Sequence, residues 1–304
     1  MKKVNIQDVA DAAGVSKTSV SNFLNGKGAH LSESTSRRIQ EAMAKLNYSP
    51  SLGARSLSAK SGARTFGAII RHDLGYAFNT QFFPLVMGGI SEACDHLGYR
   101  VLLVSSMNRP VQEDVEYALS LGRGIVDGFL LFEIEPDDPY LAAFARKKIP
   151  HVCFGIPDRP EPAAWVASDQ EGGIVKAIDH LWGHGHRRIA LFPGLARLMV
   201  TRHRVDGYRR ALENLGGTWD PGLVQYSYAQ NSDPFPDYAR LLAAPDRPDA
   251  FIIPHVHTGA FYRAMDSVGR RPGEIALVLA DYFPTGNHET HRYTHLRSHA
   301  HQVG

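Results

Sequence analysis

From Phe66 onward the chain alternates short apolar runs with longer amphipathic stretches, and this rhythm restricts the fold more than any other feature of the sequence. The apolar runs fall at residues 66–70, 101–104, 128–132, 152–154, 189–192, 251–253 and 276–280 and read as strands. Between them, residues 82–97, 112–121, 139–147, 171–183, 201–215, 236–243 and 259–268 carry helical spacing. Strand, helix, strand in regular succession implies parallel sheets covered on both faces. The pattern runs twice, with a proline-rich break, GIPDRPEPAAW, at residues 155–165. Two doubly wound subdomains with a cleft between the carboxyl ends of their strands are expected, and such a cleft is a ligand site by geometry.

Residues 4–25, VNIQDVADAAGVSKTSVSNFLN, follow a different rule. Ile6, Val9, Ala10 and Ala13 recur on one face of a helix, and Gly14 supplies a break. Ser16 can cap a second helix through its hydroxyl, with Val20, Phe23 and Leu24 on its apolar side. Lys17, Thr18, Ser21, Asn22 and Asn25 make the opposite face, a set of short donors and acceptors suited to a major groove. Ser32 starts a third helix, where Ile39, Ala42, Met43 and Leu46 complete a small three-helix bundle. Charge separates this head from the rest. Through Arg64 there are ten Lys or Arg against four Asp or Glu, leaving 23 and 27 for the remainder, so the overall +2 conceals a +6 head on a −4 body. Basic side chains displace counterions from phosphates, which makes the head the polyanion-binding part.

At 304 residues and 43% hydrophobic content, the chain can bury two or three cores. No apolar run suits a signal peptide or a membrane span, so a cytoplasmic location is expected. Cys94, in a helix-like pattern, and Cys153, within an apolar strand, are expected as reduced core residues. Of fifteen histidines, five (His288, His291, His295, His299 and His301) crowd towards the end, but none falls at a familiar metal-site spacing. There is no Ser-His-Asp order, phosphate-cradling glycine loop or paired-carboxylate signature. Neither a cofactor nor a metal is expected, and the chain is not read as an enzyme.

The runs DVADAAGVSKTSVSNFLNG and KLNYSPSLGARSL resemble the DNA-binding head and hinge of the LacI/GalR family of effector-responsive bacterial transcription regulators. Thinner motifs extend the resemblance along the chain: Thr80-Gln81-Phe82-Phe83, Gly88-Gly89-Ile90-Ser91-Glu92-Ala93, Val166-Ala167-Ser168-Asp169-Gln170-Glu171-Gly172, Gly185-His186-Arg187-Arg188-Ile189-Ala190, Arg204-Val205-Asp206-Gly207-Tyr208 and Thr294-His295-Leu296-Arg297. The resemblance implies an α/β protein with an N-terminal helix-turn-helix domain at 1–49 and a hinge at 50–64. Two subdomains of the type I periplasmic-binding kind follow at 65–157 and 158–290, and 291–304 crosses back between them. It also implies that Lys17, Thr18 and Asn22 read bases, flanked by Ser16, Ser21 and Asn25. Arginine is commonest where Asn22 stands, and asparagine favours adenine over guanine. By the same resemblance, residues 54–57 form a hinge helix ordered on DNA, with Leu57 wedged into the minor groove beside Arg55, which bends the duplex at a cost of a few kcal/mol.

In the cleft, the resemblance assigns effector contacts to Arg204 and Asp281; Phe82 can stack on the apolar face of a sugar ring or a base, and His255, which stands where the family has another residue, is a candidate contact of different chemistry. Three departures distinguish this chain: Gly155 where a polar residue is usual, Pro254-His255-Val256-His257 in place of Ala-Asn-Asp, and Leu279-Ala280-Asp281-Tyr282 in place of Gly-Phe-Asp-Asp. Gln302-Val303-Gly304 lines up with the start of a helix the family continues, so a last helix and strand of the first subdomain are expected to be absent. The function implied is a dimeric, operator-binding repressor controlled by a sugar or related metabolite. The alternatives are a solute-binding protein without DNA function, which the basic head disfavours, and a His-rich metal-dependent enzyme.

Overall fold

The computed structural model describes residues 4–24, 31–49, 62–71, 74–80, 82–105, 110–158, 164–227, 232–282 and 293–304. Three helices come first: α1 (Ile6–Ala13), α2 (Lys17–Leu24) and α3 (Glu33–Lys45). Helices of eight residues do not persist alone in water, so packing must hold the first two. Val9, Ala10, Ala13, Val20, Ile39 and Ala42 form that buried core, with Ile6, Phe23, Leu24, Met43 and Leu46 packed against it.

The first sheet comprises β1 (Thr65–Ile70), β2 (Arg100–Ser105), β3 (Gly128–Phe132), β4 (His151–Phe154) and β5 (Ala164–Val166). Its helices are α4 (Leu74–Asn79), α5 (Phe82–Leu97), α6 (Val111–Leu121) and α7 (Pro139–Lys147). The strands run parallel in the order β2-β1-β3-β4-β5. One face is covered by Phe83, Val86, Ile90 and Cys94 of α5. On the other face lie Val115, Ala118 and Leu121 of α6 with Tyr140, Ala143 and Phe144 of α7. Cys94 and Cys153 are both buried free thiols.

The second sheet repeats the plan with α8 (Gln170–Gly183), β6 (Ile189–Leu195), α9 (Met199–Asn214), β7 (Val224–Ser227), α10 (Phe235–Ala243), β8 (Ala250–Pro254), α11 (Thr258–Ser267), β9 (Ala276–Tyr282) and β10 (Thr294–Arg297). Its order is β10-β9-β8-β6-β7, again parallel. Ile178 of α8 and Tyr208 of α9 seal one face, and Tyr238 of α10 and Phe261 of α11 the other. Among the described residues no helix is long and apolar enough to cross a membrane.

The sheets depart from the sequence expectation at their margins. Residues 164–166 extend the first sheet, pairing Val152 with Ala164 and Phe154 with Val166, so that sheet runs past the expected division at 157/158. Residues 294–297 likewise belong to the second sheet rather than to a bare crossover. β5, β7 and β10 all lie at sheet edges and are short or mixed in character, whereas β2, the fourth edge strand, is legible through its VLLV run. After β10 the chain returns to the first subdomain, and α12 (Ala300–Val303) packs on α5 with Ala300 in that core. Gly89 makes the approach possible, since a Cβ there would collide with the His301 carbonyl. Ser168 and Ser298, on neighbouring crossovers, share a hydroxyl hydrogen bond of 3.0 Å.

Where the linker meets the body, the Asp127 carboxylate accepts from the backbone N–H of Ala63 at 2.7 Å and of Arg64 at 2.6 Å. This contact fixes the chain at the amino ends of β1 and β3, away from the strand ends that carry the cleft. Asp127→Ala leaves both donors without their acceptor, a loss of about 1–3 kcal/mol. Hydrogen exchange at residues 63–64 should quicken at least tenfold, with β8 amides unchanged; unaltered protection of 63–64 would show that the carboxylate does not hold the junction.

Candidate nucleic-acid interface and ligand cleft

The head presents its polar side because short-range bonds fix both of its first two helices. Asn5 caps α1 by accepting from the Gln7 N–H at 2.8 Å, and Asp8 accepts from the Asn5 N–H at 2.7 Å, a reciprocal capping box. Gly14 ends α1 in the left-handed region at φ 59°, which a side chain would disfavour. Ser16 then accepts from the Ser19 N–H at 3.1 Å and starts α2. With Val20 turned into the core, Ser16, Lys17 and Thr18 are exposed and Ser21 and Asn22 half-exposed. Asn25, Arg55 and Leu57 lie outside the described residues.

A cavity of about 550 Å³ opens between the two sheets, and Phe82, Arg204, His255 and Asp281 all line it. Arg204, on α9, is 5% exposed. Its Nε and Nη2 donate to Gln170 Oε1 at 2.9 and 2.8 Å, Nη1 donates to the Pro193 carbonyl at 3.0 Å, and Nη2 also pairs with Asp281 Oδ1. Gly207 permits this seating, since a Cβ there would press into the Glu171 backbone at the start of α8. Asp281, whose side chain is 32% exposed, adopts φ 55° near the end of β9, a backbone cost of about 1 kcal/mol.

The first subdomain's wall is aromatic. Phe132 and Phe154, at the ends of β3 and β4, stack 4.4 Å apart with planes within 7°, and Phe83 meets Phe132 edge-on at 5.4 Å. Gly155, at φ 121°, adds no side chain at the tip of β4. The second subdomain reaches across through the turn between β6 and α9. Arg197 pairs with Glu135 and lies 3.6 Å from Glu133, while the Met199 N–H donates to the Ile134 carbonyl at 2.9 Å and its side chain enters the first subdomain's core.

Residues 5–51 match the family model of bacterial regulatory proteins of the lacI family, and residues 63–253 match that of periplasmic binding proteins and the sugar binding domain of the LacI family. The chain belongs to the LacI family. It is similar to the HTH-type transcriptional regulator MalR of Streptococcus pneumoniae, 29% identical over 224 residues, covering 74% of this chain and 67% of MalR. Its fold is similar to that of the transcriptional regulator CelR in complex with cellobiose, with TM-score 0.63, 26% identity, and 92% and 83% of the two chains covered. The Lac repressor dimer bound to operator and the anti-inducer ONPF shares the fold at TM-score 0.72 and 23% identity over 92% and 82% of the chains. This LacI-family chain is therefore a DNA-binding transcription regulator with a sugar-binding type of sensor domain, and neither the solute-binding nor the metal-enzyme alternative is favoured. Among the described residues no group of three His, Cys, Asp or Glu is placed to hold a metal.

Four residues of this cleft escape sequence reasoning. Gln170 completes the Arg204 clamp and lay inside a quoted motif without an assigned role. Thr201 is 1% exposed and lines the cavity, and among the described residues its hydroxyl has no hydrogen-bond partner. His257 accompanies His255 in one short turn; burial lowers its pKa to about 4, and its neutral ring lies 3.0 Å from the Tyr238 hydroxyl. Glu133 follows the β3 apolar run directly and is pushed up to about 8 by burial, with Arg197 pulling the other way. Folded Glu133 thus retains a proton that the unfolded chain has already released. That contribution to stability is complete below the ordinary value of 4.5 and is lost as pH rises through about 8. Glu133→Gln is expected to gain melting temperature over wild type progressively from pH 5 to pH 8.5. Parallel curves across that range would contradict a buried, protonated carboxyl.

Proposed function

We propose that the chain is a repressor that binds a near-palindromic operator as a dimer in the cytoplasm and answers to a sugar-like effector in its cleft. The observation that carries this reading is the outward polar face of α2, with Lys17 and Thr18 in solvent while Val20 anchors the helix from behind. Two such helices related by a two-fold axis suit successive major grooves. Lys17 neutralises a phosphate or meets guanine, Thr18 and Ser21 supply short contacts, and Asn22 offers a donor and an acceptor to one adenine edge. Ser16 serves by capping α2, and its exposed position leaves it beside the backbone. Asn25, Arg55 and Leu57 extend the interface by family resemblance, Leu57 as the wedge that bends the duplex.

In the cleft, Arg204, Asp281, Phe82 and His255 take the effector, as supported by their convergence on one cavity. A ligand that favours one angle between the subdomains biases hinge order and therefore operator affinity, a coupling of about 1–3 kcal/mol. Selection from random duplex at moderate salt should return an enriched palindrome with adenine in each half-site. Asn22→Ala should weaken that site by about 1–3 kcal/mol and relax the preference for adenine; selection without a palindrome would remove the reading. Leu57→Ala should weaken specific binding more than non-specific binding, and an equal loss of both would exclude the wedge.

A further inference from the structure

The two walls of the cleft differ in chemistry, and the difference is informative about what fits between them. On the first subdomain's side, stacked Phe132 and Phe154 with edge-on Phe83 and a bare Gly155 present an apolar surface at the strand ends. On the other side sits the Arg204–Asp281–Gln170 cluster.

Charge narrows the choice further. Among the described residues lining the cavity, Arg204 is the one Lys or Arg, against the carboxyl groups of Glu133, Asp169, Glu171 and Asp281. Asp281 already pairs with Arg204, so the described part of the lining offers no spare arginine or lysine for a phosphate or a sugar acid. A free sugar with hydroxyls on every edge would leave some of them facing phenyl rings, unsatisfied on that side. The cavity, about 550 Å³, is within the range of pockets that enclose drug-sized molecules.

We infer that the effector is an uncharged two-part molecule, a hydroxylated ring joined to a flat apolar ring, with the flat ring against Phe132 and Phe154 and the hydroxyls at Arg204 and Asp281. This rests on the reading of the cleft as the effector site. Two sources supply such chemistry: aryl glycosides and nucleosides.

The test is calorimetric titration of the full chain with matched pairs: phenyl and methyl β-D-glucopyranoside, phenyl and methyl β-D-galactopyranoside, adenosine and methyl β-D-ribofuranoside, with cellobiose and glucose 6-phosphate alongside. In at least one pair the ring-bearing member should bind at least tenfold tighter than its methyl partner and than cellobiose or the phosphate. The winning pair tells aryl glycoside from nucleoside. Phe154→Leu, which keeps apolar volume, should cut that preference severalfold while the methyl compound binds as before. Methyl glycosides, cellobiose or glucose 6-phosphate binding as tightly as any ring-bearing probe, no ring-bearing probe binding, or a preference unmoved in Phe154→Leu would overturn the inference. Operator binding by the ligand-free chain, measured in parallel, separates the two readings: its absence counts against the regulator, whichever probe wins.

Discussion

Arg204 donates from three nitrogens to Gln170, the Pro193 carbonyl and Asp281, so one buried guanidinium joins the start of α8, the end of β6 and the end of β9. A cation removed from water at that depth costs several kcal/mol unless it is paired and hydrogen-bonded. Much of the local architecture follows from meeting that requirement. Asp281 accepts a left-handed backbone, Gln170 is held where Asp169 caps α8 by accepting from the Gly172 N–H at 2.8 Å, and Gly207 lets α9 press against α8. The cluster is thus arranged before any ligand arrives, and a ligand hydroxyl meets donors and acceptors already aligned.

The same turn that leads into α9 also binds the two subdomains together. Met199 places its backbone N–H on Ile134 and its side chain in the first subdomain's core, and Arg197 reaches Glu133 and Glu135. Any rotation of one sheet against the other must carry or break these contacts, which lie within a few residues of Arg204. At the far end of the first sheet, Asp127 grips the last residues of the linker. The body is therefore held at the linker end by Asp127 and across the cleft by contacts that any change in subdomain angle would have to carry or break.

Legibility in the sequence followed burial. Central strands such as FLLF of β3 and AFII of β8 are covered on both faces, so their apolar runs are continuous and readable. VQYS of β7 and THLR of β10 mix polar with apolar residues and lack the continuous run that VLLV gives β2, another edge strand. The three-helix head was readable to individual core residues because 3.6-residue spacing and capping chemistry are local. Arg204 and Asp281 emerged through family motifs, whereas Gln170, Thr201, Glu133 and His257 did not, because their roles arise from neighbours far away in the chain. Asn5 and Asp8 form an exception: their three-residue spacing is a local capping signal that a closer reading would have found.

The proposed function makes the Arg204 cluster the sensor of the ligand that governs the head. Its most direct test is operator affinity of Arg204→Lys, measured by fluorescence anisotropy with and without the molecule that most raises the melting temperature of the wild-type chain. Lysine keeps the charge but loses the planar fork that serves three acceptors at once. The account predicts ligand-free operator affinity near wild type, with the ligand-induced change reduced at least tenfold at the concentration that saturates wild type. An undiminished response in Arg204→Lys would contradict it.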